Sequence, residues 1–391
     1  MSIVKLSVKN LWHHKLSSFL NILLVAFGVA IIAALILLSH QLTKNLEKNA
    51  ENVDAVVGAK GSPLQLVLSS VYFVDFPTGN IRQKDASEIA RHPMVKMAVP
   101  LALGDNYMGN RIVGTDTSFV QLHNLSLAQG RFWKRDFEVT IGAEVARRHH
   151  LKIGDTIHGA HGLTSAEDVH HEHPYKIVGI LTKQDNVTDH LVLTSISGIW
   201  HMHGLDDLSE DEKEITSLLV QYRSPMAVVT FPKMVNESTL MQAASPAMES
   251  ARLFALIGIG IDTIQWFAAL IIAISAISIF VTLYNSLKER KFDLALLRVL
   301  GASKSKLFFV VIIEGLILTI IGALLGLACG HFFVEIIGSY QESGQAAFTG
   351  YVFLQEELYV ILIGLAVGII ASVMPAVQAY RTDISTILSD K

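Results

Sequence analysis

Charge is scarce in this chain. Of its 391 residues only 17% are Lys, Arg, Asp or Glu, while 51% are hydrophobic. Soluble domains carry nearer a quarter charged residues, so the balance points to lipid. Cysteine is scarcer still. Cys329 stands alone, and one thiol excludes an intramolecular disulfide. Catalytic signatures are missing as well. No G-x-x-x-x-G-K-[ST] phosphate loop occurs, and GAKGSP at 58–63 has the wrong spacing for one. Neither a nucleophile elbow nor an H-E-x-x-H motif is found. Enzyme chemistry in this chain alone is therefore not expected. If ATP drives its action, another chain must bind the nucleotide.

What is present is apolar and concentrated. Four long blocks lie at 16–43, 253–287, 307–334 and 358–379. Each exceeds or meets the roughly 20 residues that cross a bilayer core as a helix. The first, Leu16 to Thr43, contains no Lys, Arg, Asp or Glu, and Lys5, Lys9 and Lys15 precede it. A secretion-signal core runs only about 7–15 residues, so this block reads as an uncleaved anchor. Ahead of it, Ile3, Val4, Leu6, Val8, Leu11, Trp12 and Leu16 alternate with lysines and histidines. An interfacial helix fits that pattern, and an ordinary basic flank is the plainer alternative.

Loop charge gives the expected orientation. The segment between the second and third blocks holds Lys288, Arg290, Lys291, Arg298, Lys304 and Lys306 against Glu289 and Asp293. The segment between the third and fourth holds Glu335, Glu342, Glu356 and Glu357 and no Lys or Arg. Basic short loops stay on the cytoplasmic side. Both termini and the 288–306 loop are therefore expected there, with 44–252 and 335–357 on the other side.

Residues 44–252 have a different texture. Short apolar runs such as VKMAVPLAL, YKIVGIL and HLVLTS are broken by Gly, Pro, Asp and Asn, the pattern of a mixed α/β domain. The expected fold is thus a membrane protein with four transmembrane α-helices. A large α/β domain is inserted between the first and second. The domain divisions are 1–43, 44–252 and 253–391.

Several residues carry candidate roles. Gly322, Gly326 and Gly330 recur every fourth residue, as do Gly364 and Gly368. Small residues at that interval let membrane helices approach closely, in a bundle or at a dimer seam. Glu314 falls about two turns into the third block and Asp262 near the start of the second. An ionisable group at such depth is costly and marks function or a structural partner such as an arginine. Ten of the 16 histidines lie between His149 and His203. The densest stretch carries His158, His161, His170, His171 and His173 beside Glu167, Asp168 and Glu172. Neutral imidazole suits Zn²⁺, Cu²⁺ and Ni²⁺, so zinc binding, a pH-sensitive patch and a plain polar loop all remain open. Residues 54–80 surround an apolar run with Gly58, Gly61, Pro63, Pro77 and Gly79. They read as a link to the first span, a dimer groove, or an ordinary strand with turns.

The stretch LYNSLKERKFDLALLRVLGASKSKLFFVVIIEGLILTIIGALLGLACG at 283–330 resembles the FtsX/MacB-type ABC permease family. A charged run at Lys288–Asp293 is followed by an apolar-basic turn and a Leu-Gly-Ala-Ser step at 300–303. The segments MPAVQAYRTDISTIL at 374–388 and VKNLWHHKLSSFLNILLVAFGVA near the start are similar to the family's ends. RIVGTDTSFVQLHNLSLAQGRFW, IGAEVARRHHLKIGDTI and YKIVGILTKQDNVTDHLVLTSI resemble its periplasmic core domain.

The resemblance implies a permease subunit in the bacterial inner membrane, with the large domain periplasmic. It implies pairing with a second permease subunit and a cytoplasmic ABC ATPase, here expected as a separate chain that binds the ATP. In this reading Lys288, Glu289, Arg290, Lys291, Asp293, Leu297 and Arg298 form the ATPase-coupling segment. An amphipathic helix there would seat its apolar face in a partner's groove. ATP hydrolysis would then move the periplasmic domains. The histidines suggest a zinc-linked task, with a periplasmic metal-binding protein or lipoprotein as partner. Lipoprotein extraction, efflux and regulation of a periplasmic hydrolase are the alternatives. No nucleic-acid partner is expected.

Overall fold

The computed structural model describes residues 3–161, 173–205, 208–209, 212–340 and 348–381. It divides into two compact units. One is residues 42–257, and the other comprises the described residues of 3–41, 258–340 and 348–381. The chain opens with α1 (Ile3–His13) and α2 (Lys15–Asn49). Next come β1 (Ala55–Ala59), α3 (Pro63–Ser70), β2 (Ile81–Arg82), α4 (Gln83–Ala90), β3 (Val95–Tyr107), β4 (Asn110–Thr115) and α5 (Thr117–Leu122). The middle holds β5 (Leu127–Gly130), β6 (Glu138–Ile141), α6 (Ala143–Arg148), β7 (Thr156–Ile157), β8 (Ala160–His161) and β9 (Tyr175–Leu181). Then follow β10 (Val192–Ser195), α7 (Ile196–Met202), β11 (Glu214–Ile215), β12 (Ser217–Tyr222), α8 (Ala227–Ser238) and β13 (Met241–Ala244). Finally come α9 (Pro246–Glu289), α10 (Lys291–Val299), α11 (Lys304–Tyr340) and α12 (Glu356–Tyr380).

Four of these helices, α2, α9, α11 and α12, are long and apolar enough to cross a membrane. A helix satisfies its own backbone polar groups, which hydrocarbon cannot do. The bundle core joins Val25 and Val29 of α2, Ile279 and Leu283 of α9, and Val311 and Leu318 of α11. Val360 and Ala371 of α12 complete it. On the outside of the same helices Leu20, Phe27, Leu270, Ile277, Leu324, Ile363 and Ile370 are exposed. Large apolar side chains facing outward along a whole bundle are what a lipid-facing surface requires.

The inserted unit is built on one mixed sheet with strand order β13-β1-β12-β3-β4-β10-β6-β9-β5, with β7 added on β9 and β8 on β3. β10 runs parallel to β4, and β6 parallel to β9; the remaining pairs are antiparallel. Side chains alternate across a strand, and the sequence uses both faces. Val56, Val113 and Leu219 enter one core with Phe73, Phe119 and Trp133. Their neighbours Ala55, Val57, Leu218 and Val220 enter a second core with Phe231, and Ile112 a third with Tyr175. The run PLQLVLSS, legible as a strand by its apolar content, is helical instead. Ser62 caps it, accepting from the Gln65 N–H at 3.4 Å, and Pro63 opens the first turn.

Candidate functional site

α10 is short and two-faced. Leu294 and Ala295 are buried and Leu297 packs on the bundle core. Phe292, Leu296, Val299 and Leu300 face away and are 44%, 46%, 58% and 75% exposed. That spacing puts them on one stripe of a helix. Lys291 and Asp293 are exposed in its first turn. The turn into α11 passes through Gly301 at φ +93°, a left-handed conformation that glycine adopts without strain. Of the residues expected to couple, Leu297 therefore faces inward. Lys288 Nζ sits 4.8 Å over the Tyr284 ring, and Glu289 Oε2 lies 3.6 Å from His14 Nε2. Arg298 is half-buried, and its Nε has no hydrogen-bond partner among the described residues.

Arg290, in the bend between α9 and α10, reaches back into the bundle. Its Nη1 and Nη2 lie 3.4 and 3.3 Å from the two oxygens of Glu314 on α11. Glu314 also accepts a hydrogen bond from Asn10 Nδ2 of α1 at 2.7 Å. One turn away, the Ser7 hydroxyl donates to the Val310 carbonyl at 3.1 Å. A buried carboxylate is thus satisfied by two elements at once, and the cost of placing it in an apolar core is offset only while both stay in place. Asn10 was not singled out from sequence. The signal was a lone carboxamide on the inward side of a basic amphipathic helix.

The glycines mark close approaches within the bundle. A Cβ at Gly322 would stand 2.7 Å from Val25 Cβ. At Gly326 it would stand 2.6 Å from the Ala26 carbonyl, and at Gly330 2.9 Å from the Ala30 carbonyl. All three therefore press α11 onto α2. Gly368 of α12 fits against Thr319 and Gly364 beside Ala323, so the second glycine pair presses α12 onto α11. Gly315 against Ser372 and Gly28 against Ile272 work the same way. Asp262 lies exposed on α9. At the far end of the bundle His331 links Gly350 O (2.6 Å) and Glu357 Oε2 (3.0 Å), and stacks on Phe353. A single imidazole in an apolar run was the sequence signal for that pair.

In the inserted unit the two helix ends meet a shared hydroxyl. Tyr72 Oη lies 3.4 Å from the Leu46 carbonyl of α2 and 2.7 Å from Ser250 Oγ of α9. Lys48 Nζ donates to the Gln184 carbonyl at 2.5 Å, and Asn49 Oδ1 accepts from the Val187 N–H at 2.8 Å. A polar cavity of about 230 Å³ opens beside these contacts, lined in part by Lys48, Asn52, His123 and Gln184. Burial pushes the His123 imidazole down to about 4 and His190 likewise to about 4. The hydrogen bond to Asp105 holds His203 above its ordinary value.

The candidate metal ligands are described only in part. His170 and His171 lie outside the described residues, and of His161 the backbone alone is described, in β8. His158 lies beside β7, and the His173 ring stacks on Phe137 at 5.0 Å. Among the described residues no group of three His, Cys, Asp or Glu could hold a metal ion.

Comparison with known proteins covers nearly the whole chain. Residues 18–237 match the family described as MacB-like periplasmic core domain, and residues 266–384 match the FtsX-like permease C-terminal family. An uncharacterized ABC transporter permease protein of Mycobacterium tuberculosis is 27% identical over 278 residues, 66% of this chain and 30% of that one. The ABC transporter permease YvrN of Bacillus subtilis is 21% identical over 97% of both chains. The pyoverdine export ATP-binding/permease protein PvdT of Pseudomonas fluorescens is 21% identical over 97% of this chain and 58% of that one. The chain thus spans 30% of the first relative's length and 58% of the third's. Among solved structures, the periplasmic region of MacB from Actinobacillus actinomycetemcomitans aligns over 53% of this chain at 9% identity and TM-score 0.35.

Proposed function

Because this chain belongs to the ABC transporter permeases with a MacB-like periplasmic core domain and an FtsX-like C-terminal domain, we propose that it transmits the work of a cytoplasmic ATPase to its periplasmic domain. The subunit works as a dimer in the inner membrane, with both termini and α10 on the ATPase side. One observation carries this reading. α10 is anchored by Leu294 and Ala295 while Phe292, Leu296, Val299 and Leu300 face outward at helical spacing. Such an apolar stripe beside Lys291 and Asp293 fits a groove on a partner, with the charges setting register. Tyr72, Lys48 and Asn49 support the other end of the path. They tie the ends of α2 and α9 into the inserted domain.

The test is co-purification in mild detergent from the native host. A Walker-type ATPase is expected in equal amount, and Leu296→Glu with Leu300→Glu should release it. If the doubly charged variant retains the ATPase at full stoichiometry, α10 is not the coupling element. If no ATPase accompanies the intact chain, a membrane-anchored sensor takes the place of the permease reading.

A second reading concerns the task. The density of histidine between His149 and His203 supports zinc handling or delivery to a periplasmic zinc-binding protein. Within the described part of that stretch, His173 and His201 both contact the Phe137 ring, and His201 lies 3.3 Å from Asp136. Binding of Zn²⁺ at micromolar concentration to the purified chain tests it; no uptake leaves lipoprotein extraction, efflux or hydrolase regulation as the tasks to pursue.

A further inference from the structure

α1 has one face in the bundle and one face outside it. Inward, Ser7 and Asn10 are bonded to α11 and Leu11 packs on the bundle core. Outward, Val4, Val8 and Trp12 are 55%, 48% and 78% exposed, and Leu16 continues the same line at 72%. These four stand four residues apart, so they form one stripe along the helix. Lys5, Lys9 and His13, each one residue further on, form a basic column beside it, and Lys15 follows at the start of α2. The stripe runs on into Phe19, Leu20, Leu23 and Phe27 of α2, which are exposed along the span itself. The apolar face of α1 is therefore continuous with the surface that hydrocarbon must cover.

We propose that α1 is a docking surface for an anionic lipid leaflet, and that Glu314 relays its seating to the coupling helix. The chemistry is that of an interfacial amphipathic helix: apolar residues enter the acyl boundary while lysines meet acidic headgroups. The relay is the shared carboxylate. Asn10 brings α1 to Glu314, and Arg290 brings the α9–α10 bend to the same two oxygens. A shift of α1 against α11 changes the donor set around Glu314, and the guanidinium at the base of α10 must answer it. Lipid composition thereby sets how α10 is presented to the ATPase. This extends the coupling role proposed for α10, yet its main readout, a distance within this chain, needs no ATPase.

The experiment uses the full chain with Cys329→Ser, spin-labelled through Leu300→Cys on the α10 end and Ile320→Cys on α11. It is reconstituted into nanodiscs of phosphatidylcholine alone or with about one third phosphatidylglycerol. The expected result is a label–label distance distribution that narrows and shifts when the anionic lipid is present. Lys9→Gln with Lys15→Gln should abolish the lipid response. Glu314→Gln should abolish it too, and so should Asn10→Ala, which leaves the Arg290–Glu314 pair in place and covers the case in which the Glu314 variant does not fold. An identical distribution in both lipids overturns the docking surface. A response that survives Asn10→Ala overturns the relay. If the lipids give identical distributions and Lys9→Gln with Lys15→Gln, made in the unlabelled chain with Leu300 and Ile320 intact, loses the ATPase, α1 is a protein-docking face and the lipid proposal fails while α10 coupling stands.

Discussion

The Arg290 guanidinium lies 3.3 Å from the Glu314 carboxylate, with Glu314 only 2% exposed and Arg290 15% exposed. The pair joins the bend before α10 to a helix that crosses the bundle. Its members are 24 residues apart in sequence, so neither helix fixes the other by local geometry alone.

Breaking one side of that pair should cost more than removing it whole. Arg290→Ala leaves a buried carboxylate with Asn10 alone and should lower stability by about 3–5 kcal/mol, whereas replacing both partners with apolar residues of similar size should be far milder. Arg290→Met combined with Glu314→Leu is the comparison. Thermal unfolding of the purified chain in one detergent reads both. A double variant as damaged as Arg290→Ala would mean that the two side chains act separately.

The glycines give a contrast of sign. Gly322→Leu and Gly326→Leu would drive side chains into Val25 and Val29 of α2, and overpacking of that kind costs about 1–3 kcal/mol. Gly258→Ala and Gly260→Ala meet nothing within 4 Å on α9 and should be tolerated or slightly stabilising, since alanine is the better helix former by about 1 kcal/mol. Midpoints of thermal inactivation should order the four accordingly; equal losses at all four would remove close packing as the reason for the α11 glycines.

The inserted domain should lose stability between pH 6.5 and 4. His123 and His190 are each lowered by burial to about 4 in the folded chain, against about 6.5 when unfolded. As pH falls below 6.5 the unfolded chain takes up protons that the folded chain refuses, so stability falls until about pH 4 and then levels. Each group contributes roughly 3 kcal/mol to that loss, at about 1.4 kcal/mol for each pH unit between 6.5 and 4. His203, raised by Asp105, acts oppositely: its contribution is complete below pH 6.5 and is lost as pH rises through its elevated value. His123→Phe should remove about half of the acid slope. It also relieves a buried Nε2 that has no hydrogen-bond partner among the described residues. An unchanged slope in that variant would assign the acid sensitivity elsewhere.

The membrane helices and the mixed α/β domain were legible because their signals are local. An uninterrupted apolar run such as Leu16–Thr43 reports a span directly. Short broken runs such as YKIVGIL report strands. The partners at the site are a different kind of information. Asn10 and Glu314 are separated by 304 residues, and Tyr72 and Ser250 by 178. No periodicity encodes such a pairing, only the three-dimensional chain path does. The helix at Pro63–Ser70, where a strand is one of the readings left open, has a local cause instead. Its apolar run is too short for composition to separate a buried strand from a buried helix, and the decisive cue was the Ser62–Pro63 start.

Tyr72 gives the last test, because one hydroxyl spans both helix ends of the inserted domain. Tyr72→Phe keeps the ring, which is buried in the core with Val56 and Phe119, and removes the bonds to Leu46 O and Ser250 Oγ. Global stability should fall by only about 1 kcal/mol, the net worth of a typical hydrogen bond. The local effect should be larger than that figure suggests. Amides near residues 46–49 of α2 and 246–252 of α9 should exchange faster together, because both lose the same anchor. Hydrogen exchange by mass spectrometry on the full chain in nanodiscs measures this. Faster exchange at one helix end alone would show that the hydroxyl serves that helix and not a joint between the two. No change at either would leave Lys48 and Asn49, through Gln184 and Val187, as the contacts that hold α2 to the sheet domain.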